Sequence, residues 1–183
     1  MESIYLNLAI LGLVIALFAI FAGQYVKIMA DVTINKEVDK ARRELKAIIM
    51  FSDALKQYNN DAELAIRLSE KALPDLTGVE LVQAKSNLAY YYAHGDYAQS
   101  KSRALDLSKQ TLVQAFLYPD RANNFKINYG YVLMRYADTI PEVNQAIDFL
   151  NKTNLIMSLE EAEKEEILEY IEEADQKLKK LLS

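Results

Sequence analysis

Asn87-Leu88-Ala89-Tyr90-Tyr91-Tyr92-Ala93-His94-Gly95-Asp96-Tyr97 is the stretch on which the reading of this chain turns. A small residue, Ala89, sits among large ones, and the run ends in His-Gly-Asp, a helix stop followed by turn chemistry. Further on, Asn128-Tyr129-Gly130-Tyr131 repeats its beginning, again with a small residue third. Small residues at such positions let two antiparallel helices approach closely, while larger neighbours fill the gaps beside them. The complementary helices carry Ala65, Ser69 and Ala72, then Ser100, Ala104 and Leu107, then Ala146, Leu150 and Thr153. Each set is spaced four then three residues apart and is led by a small residue.

Outward from these segments the pattern stays helical, and no alternating run is long enough for a strand. Turn and cap chemistry falls at Asn59-Asn60-Asp61, Pro74-Asp75, Thr77-Gly78, His94-Gly95-Asp96, Tyr118-Pro119-Asp120 and from Asp138 to Pro141. The intervals predict six helices of about 12 to 22 residues each. A seventh follows, opened by Ser158 with Glu161 three residues on, the spacing of a capping box. Val38, Ala41, Leu45, Ile48, Ser52 and Leu55 mark one face of a long helix near the front. Ile167, Leu168, Ile171, Ala174, Leu178 and Leu181 do the same for the last helix.

Ile4 to Gly23 is an apolar run without a charge. About twenty residues at about 1.5 Å of rise match the roughly 30 Å hydrocarbon core of a bilayer. The leading Met1-Glu2-Ser3 has an acid and no base, and a cleavage site after Ala22 would place branched Ile20 three residues back. Both features favour an uncleaved anchor over a secretory signal. Lys27, Lys36, Lys40, Arg42, Arg43 and Lys46 all follow the span, so the positive-inside rule puts the remaining chain in the cytoplasm, with export as the alternative. Ala9, Gly12, Ala16, Ala19 and Gly23 form a seam of small residues suited to self-association or to pairing with another span.

Asn87-Leu88-Ala89-x-x-Tyr92 with Gly95-Asp96-Tyr97, and Ala65-Ile66 with Lys71-Ala72-Leu73-Pro74, resemble the tetratricopeptide repeat family. The resemblance covers roughly residues 46–154, as three repeats; the third lacks Gly-Asp-Tyr and has longer loops. With the apolar run and the amphipathic last helix, it gives an expected all-α chain in three parts: a transmembrane anchor and juxtamembrane segment (residues 1–30), a tetratricopeptide-like solenoid of about three helical hairpins (31–157), and an acidic amphipathic capping helix (158–183). It further implies a concave groove lined by Gln83, Asn87, Tyr90 and His94 from one repeat and by Asn124, Asn128, Tyr131 and Arg135 from the next. Asn amides both donate to and accept from a peptide backbone, and Tyr adds apolar area with a polar tip.

Composition narrows the chemistry. There is no Cys and one His, His94, so neither a thiolate metal site nor a Cys nucleophile is available, and no metal or cofactor is expected. The five glycines do not cluster into a phosphate loop. From residue 158 onward nine acids face four bases, a net charge of −5 that equals the formal charge of the whole chain. The remainder is therefore balanced and carries no basic stripe for nucleic acid. The acids read as a solvated outer face, or as a docking face for a basic partner. The expectation is a non-enzymatic, single-pass membrane scaffold or assembly factor that binds a protein or peptide client. The alternative is a structural subunit of a larger membrane complex.

Overall fold

The computed structural model describes the backbone of residues 2–95, 100–156 and 159–183, and the side chains of residues 17–95, 100–155 and 159–183. Among the described residues there is no strand. The helices are α1 (Glu2–Gln57), α2 (Ala62–Ala72), α3 (Gly78–His94), α4 (Lys101–Gln114), α5 (Ala122–Tyr136), α6 (Ile140–Ile156) and α7 (Glu161–Leu182), with short 3-10 turns at Leu73–Asp75, Ala115–Leu117 and Pro119–Arg121. By its internal contacts the chain divides into two units, Met1–Leu45 and Lys46–Ser183. The first is α-helical throughout its described length, and α1 contains a stretch long and apolar enough to cross a membrane.

In the second unit the turn chemistry sets the helix ends. Asp61 caps α2, its Oδ1 accepting from the Leu64 amide at 2.8 Å. Gly78 opens α3 with φ at +58°, a conformation that L side chains rarely adopt. Pro74 and Pro119 sit in the first turns of the 3-10 segments, where the missing amide proton is no loss. Asp96, Tyr97 and Ser158 lie outside the described residues. The capping box of α7 is made by Glu160 and Glu163, two residues later than expected: the Glu163 carboxylate accepts from the Glu160 amide at 2.8 Å. Glu160 is the last residue with extended backbone, so it becomes the cap.

Packing follows the small residues. α3 lies against α2, α4 and α5, and α5 lies against α3, α4, α6 and α7. Ala65, Ser69, Ala72, Ala104, Ala146 and Leu150 are all fully buried, and Leu107 and Thr153 nearly so. Gly130 of α5 meets Leu150 of α6 so closely that a β-carbon there would lie 2.9 Å from the Leu150 Cγ. Large side chains fill the remainder, with Leu88, Ile127, Leu150 and Ile167 in one cluster. Each such side chain contributes roughly 1.5–3 kcal/mol by leaving water. Glu70 of α2 accepts from the Tyr92 hydroxyl and, at 2.7 Å, from Arg103 Nη1, which joins α2, α3 and α4. From α7, Lys177 donates to the Arg135 carbonyl at 3.0 Å, placing a cation at the carboxyl end of α5.

Two faces differ from expectation. On α1, Val38, Leu45, Ile48 and Leu55 are exposed, whereas Ala47, Phe51 and Ala54 are buried. The alanines permit close approach, and Phe51 clusters with Ala72, Leu76 and Ala84. On α7, Ile167, Tyr170 and Ala174 are buried, while Leu168 and Leu181 face outward. On that face Tyr170 packs against Tyr131 at a tilt, with ring centroids 4.5 Å apart.

Candidate functional site

The α3–α5–α7 packing leaves a cleft of about 350 Å³ in the second unit. α3 contributes Asn87, Tyr90 and Tyr91, and α5 contributes Asn124, Ile127 and Asn128. Tyr58, just past the end of α1, and Glu166 of α7 complete the wall. Asn87 and Tyr90 reach one surface because they are three residues apart on α3, and Asn124 and Asn128 because they are four apart on α5. The Asn128 amide donates to Ser86 Oγ at 3.0 Å, which fixes α5 against α3 beneath the cleft.

An aromatic array runs from this cleft along the same helices. Tyr58 stacks on Tyr91 at 4.1 Å between centroids, and Tyr90 contacts Tyr131 at 4.8 Å and His94 at 5.8 Å. Burial pushes the Tyr91 hydroxyl up to about 12, opposed by a hydrogen bond from Asn87. Burial also raises Tyr58, Tyr90, Tyr131 and Tyr170. The carboxylates of Glu166, Glu169 and Glu173 add to the effect on Tyr90, and the Glu166 hydrogen bond adds to that on Tyr170. These phenols stay protonated at neutral pH, which suits hydrogen bonding and stacking rather than nucleophilic or base chemistry.

The expected groove residues divide into three groups. Asn87, Tyr90, Asn124 and Asn128 share the cleft. Gln83 is taken up by Arg121, which donates to its side-chain oxygen. His94, Tyr131 and Arg135 lie on the other side of Tyr90. His94 is exposed there; Tyr131 is only 5% exposed and covered by Tyr170, so it supports the surface rather than presenting itself. Arg135 donates from Nε to the Ala93 carbonyl at 3.3 Å and lines a separate depression of about 390 Å³ with Glu173, Gln176 and Lys180. In the span seam, the side chains of Ala9, Gly12 and Ala16 lie outside the described residues; Ala19 and Gly23 are exposed, and a β-carbon at Gly23 would meet nothing within 4 Å.

Tyr58, Tyr91, Ile127 and Glu166 belong to the cleft and were not expected there. Glu166 was hidden among the eight acids of α7, and its tell is position: Tyr170, one turn on, donates to it from the buried face. Among the described residues no cluster of three or more His, Asp or Glu could hold a metal ion. Comparison with family models, curated proteins and solved structures returns no match to this chain.

Proposed function

We propose that this chain is a membrane-anchored interaction scaffold of tetratricopeptide-like design, holding a segment of a partner protein in the Asn- and Tyr-lined cleft. The observation that carries it is that Asn87 and Tyr90 of α3 share one open surface with Asn124 and Asn128 of α5. Bare backbone donors and acceptors of an extended or helical peptide need such amides, and the rings supply area with little rotamer freedom to lose. Successive contacts of α3, α5 and α7, with α4 and α6 packed beside them, support a stack of helical hairpins ended by a cap. The apolar stretch of α1 confines the cleft to a membrane surface and raises the local concentration of its client. Basic residues after that stretch support a cytoplasmic domain, which protease access in intact cells tests.

The test is affinity capture from native membranes with Asn87→Ala and Asn128→Ala. Loss of bound partners with an unchanged circular dichroism spectrum supports the reading; unchanged capture of every partner removes it.

A second reading, a structural subunit of a larger membrane complex, draws on uncovered apolar side chains. Val38, Leu45, Ile48 and Leu55 of α1 are exposed, as are Val113, Phe116 and Leu117 where α4 ends. A stoichiometric assembly that survives detergent favours this subunit role; a small species with exchanging clients favours the scaffold.

A further inference from the structure

We infer that the cleft selects a basic side chain, Lys or Arg, in the segment it holds. The inference rests on the peptide-binding reading and adds the chemistry of what is bound. Among the described residues that line the cleft Glu166 is the one acidic or basic side chain, and it is half-buried in a wall that includes three tyrosines. A carboxylate in such surroundings gains most from a hydrogen-bonded cation. Ring faces carry negative charge density, so the tyrosines of the cleft wall favour a cation over an anion.

A second observation points the same way. The Tyr58 hydroxyl is buried without a hydrogen-bond partner, although it belongs to the cleft wall. An unmet buried polar group costs about 1–3 kcal/mol. Ammonium and guanidinium groups carry several donors, so one of them can serve both a phenolic oxygen and a carboxylate. An aliphatic side chain would leave the Tyr58 hydroxyl unmet and bring no charge to Glu166, which already accepts from Tyr170. Asn87, Asn124 and Asn128 offer further carbonyl oxygens around the same space.

The charges nearby leave this preference intact. On α7, Glu169 and Glu173 act on Tyr90 with the same sign as Glu166. Arg121 is held by Gln83 at one end, and Arg135 by the Ala93 carbonyl beyond Tyr90. Neither lines the cleft. Selectivity then arises by a difference: a cation is drawn in, and an acidic side chain at the same place meets Glu166.

The experiment uses the full chain in detergent micelles with ring-labelled tyrosine, followed by nuclear magnetic resonance. The probes are short alanine-based peptides that differ only at the central residue: Arg, Lys, Gln, norleucine or Glu. Saturable shifts of the Tyr58, Tyr90 and Tyr91 rings are expected with Arg or Lys. Binding of the Gln and norleucine peptides should be about tenfold weaker, the size of a lost charge-assisted hydrogen bond, and the Glu peptide should not bind. Glu166→Gln should remove the preference while keeping an acceptor for Tyr170. Asn124→Lys, at an exposed position, should supply an internal cation and abolish binding of the Arg peptide. Equal binding of all five peptides at these rings overturns the basic preference and leaves the peptide reading standing. No ring shift with any peptide overturns both.

Discussion

Gly130→Ala probes a close approach of α5 to α6, and its effect has a sign that can be worked out. Alanine is favoured over glycine within a helix by about 1 kcal/mol, so on propensity alone the change stabilises. The added carbon, however, would lie 2.9 Å from Leu150 Cγ and 3.4 Å from Phe149 Cδ1, with the Leu150 Cδ2 nearer still. Leu150 is fully buried. Forcing a methyl into a packed core costs about 1–3 kcal/mol, which leaves a net loss of about 0–2 kcal/mol against the propensity gain. Leu150→Ala alone should cost about 3 kcal/mol through lost transfer energy and the cavity it leaves. In that background the clash is gone, and Gly130→Ala should become stabilising by up to about 1 kcal/mol. The double-mutant cycle should therefore show a coupling of about 1–3 kcal/mol. Urea unfolding of the full chain in mild detergent, followed by circular dichroism, measures all four species. Additive effects, or a stabilising Gly130→Ala in the parent chain, would refute the close packing of α5 on α6.

Other expectations follow from single observations. Because Tyr91 is pushed up to about 12 and its aromatic neighbours also upward, the folded chain holds phenolic protons that an unfolded chain releases near pH 10. Their contribution to stability is complete below about pH 10 and is lost as the pH rises toward 12, so tyrosinate absorbance should grow together with loss of helix; ionisation near pH 10 with the helix signal intact would contradict this. Asp61→Ala removes the cap of α2 and should lower stability by about 1 kcal/mol in urea unfolding, with Asp61→Asn close to neutral. Tyr136→Phe deletes the donor to the Tyr92 carbonyl at 2.9 Å, a buried link between α5 and α3, and should cost about 1 kcal/mol by the same measurement.

Much of the fold could be read from residue spacing, because turn chemistry and small residues act locally. Pro74, Gly78 and Pro119 fall at the observed breaks, and Ala65, Ala104, Ala146 and Leu150 occupy buried contacts. What escaped was the choice between neighbouring stripes of one helix. On α1 the large aliphatic residues Leu45, Ile48 and Leu55 gave the stronger pattern, yet burial went to Ala47, Phe51 and Ala54. Periodicity reports that a helix has an apolar side; the partner's shape decides which side is used. The candidate site divides in the same manner. Asn87, Tyr90, Asn124 and Asn128 follow from helical spacing within α3 and α5. Tyr58 comes from just past the end of α1 and Glu166 from α7, and their arrival depends on tertiary packing that no local pattern encodes. Tyr131 was misread as presented because nothing in its own helix announces that Tyr170 covers it.

The most direct measurement places a photocrosslinking amino acid at Asn124, exposed in the cleft, and separately at Asn151, exposed on α6, in the full chain in native membranes. Discrete protein adducts from position 124, absent from position 151 and diminished by Asn87→Ala, are the predicted result. Adducts of equal yield from both positions, or none from position 124, would contradict a cleft built to hold a partner.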